Sequence, residues 1–599
     1  MTFDQDGEAR PWPAEKGEIS TTATTFTVRE GVKRAAGTPL TAKSNGTGPY
    51  ELTVVGDATT RPTAVRQALV QATDVKSVAD VLTGGDGGEA LSFTSGEPEV
   101  CPPPVVHPPE LPTRLRVSRT PTERALMNTE LLASAEWQER LDVLATEHHV
   151  PGVQVGVLQL DAEGNADIRV LVSGVTSLDT GVTVTEDTLF QYGSISKVWT
   201  TTLVMQLVDE GLLTLDTPVV EILPDFRLAD PEHAPKVTVR QLVTHTSGID
   251  GDIFLDTGDG DDCVEKYVAA LADTHPYTRP DGPLSYCNAG FVLAGRIVEV
   301  LRGTTWDEAV AKHIREPLGL TRVITRAKDA PLFRTAVGHQ DNPDRDADHQ
   351  VVPAKVWMLP RSVGPAGLIT GTADALLRFG AMHLRDGLGL NGERVLSAES
   401  ARSMRTRQVD LSSVSTVDQG WGLGWLLTDW DRAGGDPVTA SQHGGHTIGQ
   451  VARLTTFPEL GVAICVLTNA DRGLGLVDEL QALIGADLGL TAPKPVVAEG
   501  ADIDDLLGVY ETVAMRQTLT RDDDGRYFMD LETKVPDITD APEPRREVTP
   551  SGKGRFIVDM EGALTEFTHV VDGEDDYLYM FRLFKRVDRG TAGTPPAIG

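Results

Sequence analysis

Cysteine is scarce in this chain: Cys101, Cys263, Cys287 and Cys465 are the whole complement of 599 residues. Thiols so few and so scattered make neither a disulfide framework nor a zinc site, and they are expected to be reduced and mostly buried. Aromatic residues are also sparse, at 5%. No apolar run is long enough to span a bilayer, so a soluble chain is expected. Basic residues are outnumbered, 54 Lys and Arg against 88 Asp and Glu, for a formal net charge of −34. Such a surface repels nucleic acid backbones and anionic membranes, and neither is expected as a partner. The opening residues, Met1 to Glu8, show no basic stretch followed by an apolar one. A cytoplasmic protein without a signal peptide is the expectation. Nucleotide and zinc motifs are missing too, so no cofactor and no metal is expected.

What is present suits a folded protein of several domains: 40% hydrophobic and 24% charged residues, in a chain too long for a single core. Residues 1–100 read as a segment of their own, with strand-like runs at 24–28 and 51–55 and a helical stretch near 64–72. They carry no motif tied to chemistry. Six prolines fall within residues 101–112, a density that sustains neither helix nor central strand, and 101–124 reads as a stiff linker. The main domain is expected over 125–492. A helix at 128–147 precedes two alternating runs, 153–160 and 168–172, which read as a hairpin. A helical region follows to about residue 390, and strands return at 422–428, 449–457 and 462–468. Strand-rich ends around a helical middle predict an α+β domain, one antiparallel sheet with helices packed on its faces. After a second linker at 493–499, residues 500–588 show short strands separated by turn clusters. Their spacing predicts a barrel or sandwich of about eight strands, followed by a tail at 589–599.

The chemistry centres on Gly193-Ser194-Ile195-Ser196-Lys197, read as a sharp turn into a helix that begins at Ser194. Three residues apart on a helix, Ser194 and Lys197 share a face. The serine stands where unpaired N–H groups and the helix dipole favour developing negative charge. A lysine one turn away can exchange a proton with it, which is a nucleophile with its activator built in. A Ser-x-x-Lys tetrapeptide is common by itself. Here it is followed in order by Leu242-Val243-Thr244-His245-Thr246-Ser247-Gly248, by Tyr286-Cys287-Asn288, by Gly364-Pro365-Ala366-Gly367, and by His443-Gly444-Gly445-His446.

In that order and at those separations, the set resembles the serine β-lactamase and penicillin-binding-protein superfamily. It is most similar to the branch holding class C β-lactamases, D-alanyl carboxypeptidases, D-aminopeptidases and related esterases. The resemblance spans roughly residues 125 to 490. It implies that Ser194 attacks an acyl carbonyl while Tyr286 and Lys197 share the general-base task. Asn288 would aim its amide at Lys197 and at a substrate carbonyl. The backbone N–H groups of Ser194 and His446 would form the oxyanion hole, with Gly444 and Gly445 letting substrate backbone approach the strand.

Where β-lactamases of this family usually have lysine, this chain has His443, which resembles D-aminopeptidases and some carboxypeptidases. Histidine is only fractionally charged near neutral pH. It can bond the Tyr286 phenol but holds a carboxylate less reliably, which counts against β-lactam turnover. His245 is expected in a structural turn away from the nucleophile, and His148-His149 lacks companions for a metal site. The function implied is a serine hydrolase working through an acyl-enzyme on Ser194. It would cleave an amide or peptide of D-amino-acid character, or a small ester, so the expected partner is a small-molecule or peptide substrate. The C-terminal strands would be the lipocalin-like barrel that some relatives carry. One alternative is an acyltransferase or penicillin-binding-protein-type thioesterase or peptide cyclase, the only reading in which a carrier protein is a partner. A β-lactamase or a non-catalytic binding protein of the same fold is the other.

Overall fold

The computed structural model describes residues 132–589 except 133, 343–349, 418, 498–501, 535–544 and 561, together with the backbone of short strands within residues 2–55. The chain divides into two units, Met1–Arg116 and Val117–Gly599. In the first, Tyr50–Val55 pairs antiparallel with Ala23–Val28 on one side and Leu40–Lys43 on the other. Thr2–Phe3 pairs with Ala9–Arg10. The helix expected near 64–72, the linker at 101–124 and most of the tail lie outside the described residues.

In the second unit, period-2 burial sorts each strand's side chains between two cores. Along Val462–Thr468, buried at every position, Val462, Ile464 and Val466 enter one core while Ala463, Cys465 and Leu467 enter the other. That double burial marks a central strand, covered on both faces. It pairs antiparallel with Gln450–Phe457 and with Gly152–Leu160, so the early hairpin and the late strands meet in one nine-stranded sheet. The hairpin partner is Ala166–Gly174. On the other side follow Val438–Thr447, Leu426–Arg432, Gln419–Trp421 and Val409–Asp410, all antiparallel. The expected strand at 422–428 is therefore two strands with a break, where Gly424 turns at φ +74° against Thr201.

Helices Ala135–Glu147 and Gly473–Asp487 cover one face, through Trp137, Leu141, Leu476 and Leu480. Helices Ser196–Asp209, Asn288–Arg302 and Ala373–Leu384 pack on the other, in the larger core. The first of these is buried nearly all round, as a helix enclosed by other helices and the sheet must be. It ends at Asp209, just before Gly211 at φ +71°.

Strands from Gly508–Glu511 to Arg582–Arg589 close into an eight-stranded antiparallel barrel, the first pairing with the last. Its interior is filled by Tyr510, Leu519, Met529, Phe556, Phe567 and Phe584. The barrel docks on the helical region through a shared apolar cluster in which Leu284, Trp421, Tyr577 and Leu583 are buried and Tyr286 is partly buried. Among the described residues no helix is long and apolar enough to cross a membrane.

Candidate active site

Gly193–Ile195 form a single 3₁₀ turn, and the regular helix starts only at Ser196. The cause is Gly193, whose φ of +53° only glycine adopts cheaply. Ser194 thus sits on the turn, half-buried, rather than on the helix proper. Lys197, wholly buried, reaches back one turn and donates from Nζ to Ser194 Oγ at 3.0 Å and to the Ala366 carbonyl at 2.7 Å. Tyr286 stands close to both groups: Lys197 Nζ lies 4.8 Å from the centre of its ring, and the Ser194 hydroxyl favours the ionised form of its phenol. Lysine, serine and tyrosine are therefore gathered at one point. Loss of hydration holds the lysine well below its ordinary range, and the nearby Arg582 guanidinium adds to this. The same loss of hydration drives the Tyr286 phenol above its usual range, against the opposing pull of the Ser194 hydroxyl and of Arg582.

The strand Val438–Thr447 passes the turn backbone to backbone. A Cβ on Gly445 would fall 1.9 Å from the Tyr192 carbonyl oxygen and 3.0 Å from Ser194 N, and one on Gly193 would fall 2.9 Å from His446 N. These contacts set the Gly445–His446 backbone directly beside the Gly193–Ser194 turn. Gly444 is open, with no contact on the place of a Cβ closer than 3.9 Å. The His446 side chain turns outward to Asp471 at 2.8 Å.

Several placements differ from the expectations. The Asn288 amide donates to Asp252 Oδ1 at 3.0 Å rather than to Lys197, because Asn288 begins its helix and Asp252 lies on the adjoining loop. The ring of His443 is 6.2 Å from that of Tyr286, its Nδ1 is 2.5 Å from the Gly444 carbonyl, and its Nε2 is buried without a partner. Burial and the Lys197 charge push it down to about 3, so it is a neutral imidazole and not a cation. His245 is not remote: it stacks on Tyr286 with ring centres 4.3 Å apart. Its Nδ1 accepts from the Cys287 N–H at 2.8 Å. A φ of +60° on this histidine marks a turn bent to hold Tyr286 in place. His148 pairs with Glu479 at 2.8 Å. Among the described residues no cluster could hold a metal ion.

Two residues at the site had no signal in the motifs. Asp252 follows the Ser247-Gly248 turn and is buried. Arg582 belongs to the barrel, 330 positions later, and pairs with Asp252 through Nε at 2.7 Å and through Nη2 at 3.1 Å. Its guanidinium carbon lies 4.7 Å from the Tyr286 ring centre. The hairpin that carries it is sealed in place: Phe581 accepts from the Tyr286 N–H at 2.7 Å, and the Leu583 N–H donates to Ser285 Oγ at 3.2 Å.

Residues 130–487 match the model of the beta-lactamase family, a span of more than half the chain. The chain belongs to that family. Penicillin-binding protein 4 of Amycolatopsis lactamdurans is 44% identical over 384 residues, 63% of this chain and 97% of that protein. Esterase EstB of Burkholderia gladioli is 29% identical over 56% of this chain and 92% of that one. Among solved structures, SurE covers 77% of this chain and 99% of its own, at 24% identity and a TM-score of 0.59. The same protein solved with D-Leu gives 0.56, at 24% identity over 76% of this chain and 100% of that one. These two structures are alike in fold. Three free thiols of this beta-lactamase relative, Cys263, Cys287 and Cys465, are all buried.

Proposed function

We propose that this member of the beta-lactamase family is a serine hydrolase that forms an acyl-enzyme on Ser194. The observation that carries the reading is the Lys197 Nζ to Ser194 Oγ hydrogen bond at 3.0 Å, with the Tyr286 ring centre 4.8 Å from that Nζ and the His446 backbone beside the turn. Lys197, whose charged form burial disfavours, and Tyr286 together take the proton as Ser194 Oγ bonds to the acyl carbon. The backbone amides of Ser194 and His446 receive the oxyanion. Collapse breaks the bond to the leaving group, which departs with its electron pair and receives that proton. Water then attacks the acyl-enzyme by the same route.

The charges around the site favour substrates without a free carboxylate next to the scissile bond. His443 is neutral, Lys197 is turned to Ser194 and Ala366, and Arg582 is paired with Asp252. A small ester, or an amide of D-amino-acid character, fits this arrangement better than a β-lactam or a C-terminal dipeptide. The esterase among the relatives supports the ester reading, and the D-Leu found with SurE is in keeping with D-amino-acid chemistry. Matched D- and L-alanyl p-nitroanilides and p-nitrophenyl acetate test this, with Ser194→Ala as control. Turnover of the ester or of the D-anilide that disappears in Ser194→Ala is expected. Equal turnover by Ser194→Ala would end the acyl-enzyme reading.

A further inference from the structure

We propose that Arg582, carried into the centre by the C-terminal barrel, is the fixed cation that readies the Lys197–Tyr286 pair to accept the Ser194 proton. This rests on the acyl-enzyme reading above and adds to it a positioning residue from a second domain. The strand beside the nucleophile offers only a neutral imidazole, His443, so any standing positive charge at the pair must come from elsewhere. Arg582 is placed to supply it, 4.7 Å over the Tyr286 ring and 27% exposed. A guanidinium stays charged throughout the working pH range.

The groups facing the pair leave few other charges. His245, stacked on Tyr286, is held neutral by burial. The Cys287 thiol, next in sequence, is pushed up to about 12. Asp252 is the one carboxylate among these groups, and it is engaged by Arg582 and Asn288. At both Lys197 and Tyr286 the guanidinium acts more strongly than this carboxylate. A nearby cation favours the deprotonated form of either group, free amine or phenolate. The effect therefore does not depend on which of the two takes the proton. In acylation, Ser194 Oγ bonds to the acyl carbon and its proton passes to the pair. The leaving group then departs with the electron pair of the broken bond and that same proton.

The test is the rate of Ser194 acylation by p-nitrophenyl acetate across pH, for wild type, Arg582→Gln, Arg582→Lys and the double variant Asp252→Asn with Arg582→Gln. Arg582→Gln is expected to slow acylation about 10- to 1,000-fold and to move its pH midpoint to the alkaline side, with KM unchanged. Arg582→Lys should recover most of the loss. The double variant removes the Asp252 charge together with its guanidinium partner, it stands in where the single variant does not fold, and it should remain slow. A wild-type rate and midpoint in Arg582→Gln would overturn the proposal. Recovery in the double variant would also overturn it, since Arg582 would then be only the counter-ion of Asp252. Failure of wild type to acylate at Ser194 at all would instead overturn the acyl-enzyme reading, and this proposal with it.

Discussion

At Gly445 the strand runs so close to the Tyr192 carbonyl that a single added methyl group has no room, 1.9 Å from the oxygen. Gly445→Ala should therefore push the His446 amide away from Ser194. We expect a loss of about 1–3 kcal/mol in a denaturant melt and a fall in ester turnover of about 100-fold or more. The buried histidines make a second expectation at this scale. His443 and His383 are both pushed down to about 3 by burial. Unfolding returns them to the ordinary range near 6.5, so below that pH the unfolded chain binds more protons than the folded one. Stability is full above pH ~6.5 and drains as pH falls toward about 3. His383 lies away from the nucleophile, against Phe379 and Trp425. His383→Gln should remove about one proton from the slope of unfolding free energy against pH, roughly 1.4 kcal/mol per unit, between about pH 6 and 4. Urea melts at a series of pH values measure it.

Among the elements, the helix Ser196–Asp209 supports the site from below, and its anchor is Trp199, fully buried and stacked on Phe379 with centroids 4.1 Å apart. Trp199→Ala is expected to cost about 3–5 kcal/mol, read as a lowered midpoint in thermal or denaturant unfolding. The one-turn separation of Ser194 and Lys197 was legible because helical spacing is a local rule. The start of the helix was not, because a turn held by Gly193 at φ +53° leaves no mark beyond the glycine itself. Alternation found the strand Gly152–Leu160, read as 153–160, and the apolar run Val462–Thr468 was legible as a strand as well. The strand expected at 422–428 ran through the break at 422–425, where Gly-Leu-Gly-Trp is apolar enough to pass for strand.

For the whole molecule, the barrel is joined to the catalytic region through buried hydrogen bonds as well as apolar contact. Tyr277 takes the Lys585 N–H on its phenol oxygen at 2.7 Å and donates to the Glu511 carbonyl. Tyr277→Phe strands both groups, at about 1–3 kcal/mol each if buried. The amides of Arg582–Arg589 should then exchange hydrogen faster than those of the barrel strands away from the interface. The two-ended sheet and the eight-stranded barrel could be read from sequence, since each follows from repeated local patterns. The contribution of Arg582 could not. It depends on two domains meeting across 330 positions, and no local pattern encodes that meeting. Asn288 and His245 were misplaced for the same reason: their partners, Asp252 and Tyr286, are distant in sequence.

Phe581 holds the barrel hairpin in a turn with φ +53°, a residue away from Arg582. Its consequence reaches into how such a protein drifts over generations. The parts of the barrel wall away from the interface answer only to their own packing, while the tip answers to Asp252 and Tyr286 across the interface. Substitutions should therefore accumulate freely around the wall and be purged at Phe581 and Arg582. An insertion of one residue at the tip would turn the arginine to the opposite face, breaking its pairing with Asp252 while leaving the barrel sound.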